Sequence, residues 1–233
     1  MILALETAAE GGDVALLDGP EPIAERAIEP GQPQAGSLLV AIDSVLAETS
    51  RGLDQVDLIA LSVGPGSFTG LRVGLSTALG LAFEKPLRIA PVSTLAALSL
   101  QAGERPRIAP VLDARKRQVY AGLYAPDAAA LLSDRLADPG EWAESLRGRG
   151  RVHLLGSGAE LYRERISAAL GSDAEFLPES LGRPRAASVG RLGHEIARRG
   201  RALPPEQVRL RYLRTADAKL PGTAGQARGE AIP

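Results

Sequence analysis

Apolar and polar positions change rhythm several times along this 233-residue chain, and each change predicts an element. Apolar stretches at residues 2–5, 12–17 and 22–28, the first two joined by the turn T-A-A-E-G-G, predict a meander of three strands. Leu38, Leu39, Ile42, Val45 and Leu46 then fall at helical spacing, which predicts an amphipathic helix over residues 34–49. Residues 56–63 are apolar almost without interruption, as in a central strand covered on both faces. The helix predicted next, over 68–83, is apolar nearly all round, with Gly70, Gly74 and Ala78 recurring every four residues. Small residues at that spacing let another backbone approach closely, while each interior glycine costs about 0.5–1 kcal/mol relative to alanine. Such a helix is covered twice, by its own sheet and by a second body, or lies inside a larger core; the pattern leaves both readings open.

A strand at 87–90 and a helix over 93–102, with Ser93 or Thr94 as N-cap, precede a break at 103–106. Beyond it come strands at 108–112 and 118–124 around a turn at 114–117, then a strand at 131–136 and a helix. A strand at 152–155, a helix at 158–169, a short strand at 174–177 and a helix at 187–199 complete the series. Each half reads as a strand meander followed by alternating helices and strands, so a duplicated mixed α/β fold is expected. Residues 1–103 form one unit in this reading and 104–220 the other, with the Gly- and Ala-rich stretch 221–233 a disordered tail.

Composition narrows the classes. No cysteine is present, which excludes disulfides and thiolate metal sites. The first residues lack a basic segment ahead of their apolar run, and no run approaches about 18 apolar residues, so a signal peptide and a membrane span are not expected. A cytoplasmic protein fits. The net charge of −1 hides an asymmetry: residues 1–103 hold 5 basic and 12 acidic side chains, residues 104–233 hold 22 and 16. A basic half suits nucleic acid, with Arg147, Arg149, Arg151, Arg183, Arg185, Arg198, Arg199 and Arg201 giving local density. Lysine, however, occurs only at 85, 116 and 219, and aromatic residues make up 3% of the chain. Compositional bias is therefore the stronger reading, since stacking partners for bases are scarce.

The sharpest motif is Gly64, Pro65, Gly66, Ser67, Phe68, Thr69 and Gly70, between a predicted strand and a predicted helix. Free N–H groups at a helix start, capped by Ser67 or Thr69, suit an anion. The alternative is a tight turn with a close-packed helix behind it. The spacing fits neither the phosphate loop nor the dinucleotide motif, no lysine follows the last glycine, and an aromatic sits inside, which favours the turn. A phosphate-transfer site would use acidic residues at strand turns: Glu6 with Thr7 in the first half, Asp113 in the second. Arg115, Lys116 and Arg117 crowd the second turn, and Gly156-Ser157-Gly158 is a weak nucleotide-type turn. His153 and His194 lack the spacing of a metal pair, and no G-x-S-x-G elbow presents a serine. Neither a metal nor a cofactor is expected, and no residue is assigned a catalytic role.

The run G-P-G-S-F-T-G-L-R-V-G at 64–74 resembles the TsaB (YeaZ) family, which serves threonylcarbamoyladenosine formation beside the tRNA anticodon. P-V-S-T-L-A-A-L at 91–98, L-D-A-R-K at 112–116, V-Y-A-G at 119–122 and Y-L-R at 212–214 carry the same resemblance, which spans nearly the whole chain. It implies two tandem ribonuclease-H-like lobes of the actin and sugar-kinase (ASKHA) superfamily. It further implies a noncatalytic scaffold that heterodimerises with a TsaD-type catalytic subunit, works with a TsaE-type ATPase, meets tRNA only within the complex, and forms a homodimer when the partner is absent. Threonylcarbamoyl-adenylate comes from a separate synthase. The implied interface lies on the two N-terminal helices, with Leu38, Ile42, Leu71, Gly74, Leu75, Ala78 and Leu79 as candidates. Glu6, Thr7 and Asp113 are then vestiges of a nucleotide site; the usual D-T-S is Glu6-Thr7-Ala8 here, and the usual His-Ser entering the first long helix is Gly36-Ser37. An ATP-dependent enzyme of the sugar-kinase type and a glycoprotease-like peptidase are the competing readings; the missing histidine pair counts against the second.

Overall fold

In the computed structural model the described residues are 1–31 and 34–214; the tail expected at 221–233 lies outside them. Among the described residues ten strands form two five-stranded sheets. β1 (Ile2–Glu6), β2 (Asp13–Asp18) and β3 (Glu21–Ala27) make the expected meander, and β4 (Leu58–Ser62) and β5 (Arg88–Val92) add in parallel on the other side of β1, giving the order β3-β2-β1-β4-β5. The second sheet, β10-β9-β6-β7-β8, repeats this arrangement with β6 (Ile108–Asp113), β7 (Val119–Tyr124), β8 (Ala130–Ala137), β9 (Val152–Leu155) and β10 (Ala174–Phe176). The duplication expected from the pattern is present strand for strand, and Glu6 and Asp113 end equivalent strands.

The two faces of the first sheet differ at their centre, although Ile2, Leu17, Leu58 and Val92 flank the smaller residues on one of them. Leu3, Leu5, Val14, Leu16, Ile59 and Leu61 face one way and meet α1 (Gln34–Glu48) and α2 (Phe68–Glu84). Ala4, Ala15, Ala60 and Ala90 face the other way, and this shallow surface lets α7 (Ala186–Arg198) lie close. A Cβ at Gly193 of α7 would collide with that of Ala60. α7 follows the second sheet in sequence yet packs across β1, β2, β4 and β5, and Leu203 bridges to Ile89 at the edge of β5. Conversely α3 (Thr94–Ser99), which Ser93 caps at the amide of Ala96, sends Leu95 and Leu98 against Ile108, Leu112 and Leu155 of the second sheet. The first sheet ends with β5 at Val92 and the second begins with β6 at Ile108, while each receives a helix from the other half.

The opposite face of the second sheet carries α4 (Pro139–Glu144), α5 (Ser157–Leu161) and α6 (Arg163–Leu170), with Trp142 at the centre of that core. The single helix expected over 158–169 is two, because Tyr162 leaves helical geometry at φ −113°, ψ 23°. Among the described residues no helix is long and apolar enough to cross a membrane.

Candidate functional site

Two surfaces stand out. On the first, α1 and α2 pack side by side, and both leave large apolar side chains in solvent: Leu39 is 51% exposed, Val40 65%, Leu79 38% and Phe83 91%. These are not the positions expected. Leu38, Ile42, Leu71 and Ala78 are at most 3% exposed and face their own sheet, so they are core and not interface. Gly74 also points inward: a Cβ there would run into Thr7 Oγ1 and come within 3.2 Å of Leu61 Cδ1. Leu75 is half-buried against the same core, and Leu79 alone of the seven is exposed. The physical reason lies in the helix period. Leu71, Gly74, Ala78 and Ala82 form the inward stripe, and the next row round the helix, Leu75, Leu79 and Phe83, climbs from half-buried to fully solvated. Leu39 and Val40 likewise sit off the inward positions 38, 42, 45 and 46 of α1. Apolar residues off the core stripe were the available signal.

The glycine motif is a turn packed against the first hairpin. A Cβ on Gly66 would sit 2.5 Å from the carbonyl oxygen of Ala8, and the Ser67 amide donates to that same oxygen at 2.7 Å. Ser67 Oγ caps α2 by accepting from Gly70 N at 3.2 Å, while the carbonyl of Gly64 accepts from Thr94 N at 3.1 Å. The C-terminal segment crosses behind, where Arg211 N donates to the Val63 carbonyl at 2.8 Å. The Ser67 amide and hydroxyl and the Gly64 carbonyl are thus spent on tying the first hairpin, α2 and the start of α3 together, with the C-terminal segment held at the neighbouring Val63. Gly74 does bring α2 close to its sheet, but Ala78 continues that inward face and offers nothing to a partner.

The second surface is a cleft of about 1520 Å3 between the two sheets, walled by the first hairpin, the glycine motif, the β6–β7 turn, Arg183 and residues 211–214. Arg72, Arg115, Lys116, Arg183, Arg211 and Arg214 line it, against Glu10 and Asp113 as acidic residues. Asp113 reaches the cleft, accepting from Arg115 N at 2.9 Å and pairing with the Arg115 guanidinium at 3.6 Å. Glu6 and Thr7 do not: they are 0% and 1% exposed behind the turn of Ala8 and Ala9, so no ligand in the cleft touches them. Arg115, Lys116 and Arg117 all adopt positive φ, at 61°, 53° and 59°. Left-handed backbone at a non-glycine residue costs about 1–3 kcal/mol, so three in succession make this a strained turn. Arg214 braces it, donating to Gln118 Oε1 at 2.7 Å and to the Arg115 carbonyl at 3.3 Å.

Phe68 and Tyr212 meet at the mouth with ring centroids 5.1 Å apart, and the Arg72 guanidinium stacks 3.8 Å from the Phe68 centroid. Of the eight arginines singled out in sequence for local basic density, Arg183 alone lines this cleft. Arg147, Arg151, Arg185, Arg198 and Arg199 are in ion pairs with Glu144, Glu175, Glu25 and Glu195 elsewhere on the surface.

Buried charge knits the region together. Burial pushes the Glu6 carboxyl up to about 7, against hydrogen bonds from Ala8 N at 2.6 Å and Ala9 N at 3.1 Å. Asp13, opposite Glu6 in the hairpin register, is likewise pushed up to about 7 by burial, although it accepts from Ala186 N at 2.9 Å and so ties β2 to the start of α7. Asp134 of β8 is buried and collects Ser93 Oγ at 2.9 Å, Arg211 Nη1 at 2.8 Å and the Tyr124 hydroxyl, joining the first half, the second sheet and the C-terminal segment. No cluster of three potential metal ligands forms among the described residues.

Comparison with known proteins agrees with this geometry. Residues 34–219 match the family model for TsaD, described as tRNA N6-adenosine threonylcarbamoyltransferase. The tRNA threonylcarbamoyladenosine biosynthesis protein TsaB of Bacillus subtilis (strain 168) is 30% identical over 231 residues, covering 94% of this chain and 96% of that protein. YeaZ from Pseudomonas aeruginosa is similar in structure with a TM-score of 0.77 and 31% identity over 91% of this chain and 99% of its own. The activator of the 2-hydroxyisocaproyl-CoA dehydratase from Clostridium difficile, solved with bound ADPNP, shares the fold alone, with a TM-score of 0.50 at 9% identity over 85% of this chain and 96% of its own. The architecture of two five-stranded mixed sheets with their helices is thus shared with YeaZ and, as a fold alone, with the dehydratase activator. With a relative matched end to end at this identity and the same fold along its length, the chain belongs to the TsaB/YeaZ family.

Proposed function

We propose that this chain is an accessory subunit in threonylcarbamoyladenosine formation on tRNA and that it acts by contact rather than by chemistry of its own. The observation that carries the reading is the apolar surface of α1 and α2. Of the nine large apolar or aromatic side chains exposed among the described residues, four (Leu39, Val40, Leu79 and Phe83) lie on these adjacent helices. Exposed apolar side chains gathered on one face mark protein contact sites. A TsaD-type catalytic subunit is the proposed occupant, because the chain matches both a TsaB protein and the TsaD family model and so has the same fold as its partner. Two related folds can present equivalent helix pairs to one another, and a second copy of this chain can occupy the same face when the partner is absent. A TsaE-type ATPase joins the assembly in this reading.

The sequestration of Glu6 and Thr7 behind the hairpin supports a contact role over a kinase-like one, since two of the three acidic-turn candidates are out of reach of any ligand in the cleft. Reconstitution tests the proposal: a purified TsaD-type subunit with its substrates is assayed for threonylcarbamoyladenosine on tRNA with and without this chain. Product that depends on the chain, and is lost with Val40→Glu plus Phe83→Arg, supports the reading. Equal product without the chain, or with the doubly substituted chain, refutes it.

A further inference from the structure

Arg72 and Arg214 of the cleft are held by uncharged groups: the Phe68 ring and Tyr212 hydroxyl for one, a carbonyl and an amide oxygen for the other. Among the described residues the lining holds six basic side chains against Glu10, Asp113 and the buried Asp134 that pairs with Arg211, so an excess of positive charge is left there although the chain as a whole is at −1. Arg115 and Lys116 of the strained turn line this opening, as do the residues 112–116 and 212–214 singled out in sequence. Aromatic side chains are scarce in the chain, with 3 Phe, 4 Tyr and 1 Trp in all, yet Phe68, Tyr120 and Tyr212 line this one cleft. Scarce stacking partners argued against nucleic acid in the sequence; the fold gathers them. The cleft, at about 1520 Å3, is larger than the 300–1,000 Å3 typical of small-molecule pockets, so a mononucleotide leaves much of it unfilled. A basic groove with an aromatic stacking platform is the arrangement that takes single-stranded nucleic acid.

We infer that the cleft between the two sheets binds a short single strand of RNA, with phosphates on Arg115, Lys116 and Arg214 and a base stacked at the Phe68–Tyr212 pair. This goes beyond the proposed subunit contact; the two surfaces adjoin where Leu79 shares a shallow groove with Arg72 and Tyr212, while Arg115, Lys116 and Arg214 are not part of that groove. The chain itself, and not only its partner, then holds part of the RNA.

The test is fluorescence anisotropy of the full chain with a fluorescein-labelled single-stranded decaribonucleotide from 50 to 200 mM salt, with an RNA duplex of equal length, polyglutamate and ATP as competitors. Saturable binding is expected, with a slope of log affinity against log salt of about −2, as for three neutralised phosphates at about 0.7 each. Tyr212→Ala weakens binding about fivefold or more and Tyr212→Trp restores it, while Arg115→Ala plus Lys116→Ala makes the slope shallower by about 1.4. Unchanged thermal melting of each variant excludes misfolding as the cause. The inference is overturned if the folded chain does not bind the oligonucleotide, or if the duplex, polyglutamate or ATP competes as well as the single strand. Binding that survives all the cleft substitutions also overturns it. Association with a TsaD-type subunit, measured on the Arg115→Ala plus Lys116→Ala variant, is unaffected, so failure here and failure of the subunit contact are read separately.

Discussion

Glu6→Gln is the substitution whose effect follows most directly from the geometry. Glu6 has no exposed surface and titrates at about 7 instead of its ordinary 4.5, because burial disfavours the carboxylate more than the Ser62 hydroxyl and the amides of Ala8 and Ala9 stabilise it. Below about pH 4.5 the carboxyl is protonated in both folded and unfolded chains and exerts no pH-dependent effect. Between about 4.5 and 7 the unfolded chain releases the proton and the folded one retains it, so the unfolded state binds fewer protons and stability falls as pH rises. At 1.36 kcal/mol per pKa unit the total loss is about 3 kcal/mol, complete just above pH 7. Glutamine keeps an Oε1 acceptor for both amides and cannot ionise.

Urea unfolding followed by circular dichroism at pH 5, 6, 7 and 8 reads the difference. Stabilities close to one another at pH 5 are expected, with the variant ahead by about 1–3 kcal/mol at pH 8. Asp13 titrates in the same window, so both proteins lose stability with rising pH, and the wild type falls more steeply. Parallel pH profiles would show that Glu6 ionises freely and would refute the reasoning.

Other outcomes follow from packing. Gly74→Ala gains helix propensity but forces its Cβ onto Thr7 Oγ1, so a net loss of about 1–3 kcal/mol is expected. Gly80→Ala, in open space on the same helix, gains up to about 1 kcal/mol, and the opposite signs are read from two melting curves. Arg211→Met removes the cation from Asp134 and leaves Ser93 and Tyr124 as its partners; denaturant titration is expected to show a loss of about 1–3 kcal/mol.

Much of the architecture was legible because periodicity reports on backbone. The meander, the buried β4, the helices of the first half and the duplication all follow from where apolar residues recur. Orientation was the harder quantity. In α2 nearly every position is apolar, so the sequence contrast that marks a buried face is absent, and the stripe of small residues read as an outer surface is the one pressed on Thr7 and Leu61. Gly74→Gln, attractive as an interface probe on sequence grounds, would therefore disrupt the core. The cleft escaped for a different reason. Phe68, Tyr120 and Tyr212 are separated by 52 and 92 positions, and only the return of the C-terminal segment over the glycine motif brings Phe68 and Tyr212 together. The break of the α5–α6 helix at Tyr162 carries no Gly or Pro to announce it.

The central claim is that the outward apolar row of α1 and α2 holds a TsaD-type subunit. Isothermal titration of such a purified subunit into this chain, beside the Val40→Glu plus Phe83→Arg variant, tests it most directly. Both substituted side chains lie in solvent, so each change is expected to alter folding stability by no more than about 0.5 kcal/mol. The account predicts saturable binding by the wild type and a loss of at least about 2 kcal/mol in binding for the variant, about thirtyfold in affinity. Equal binding by the two proteins, with both folded, would contradict it.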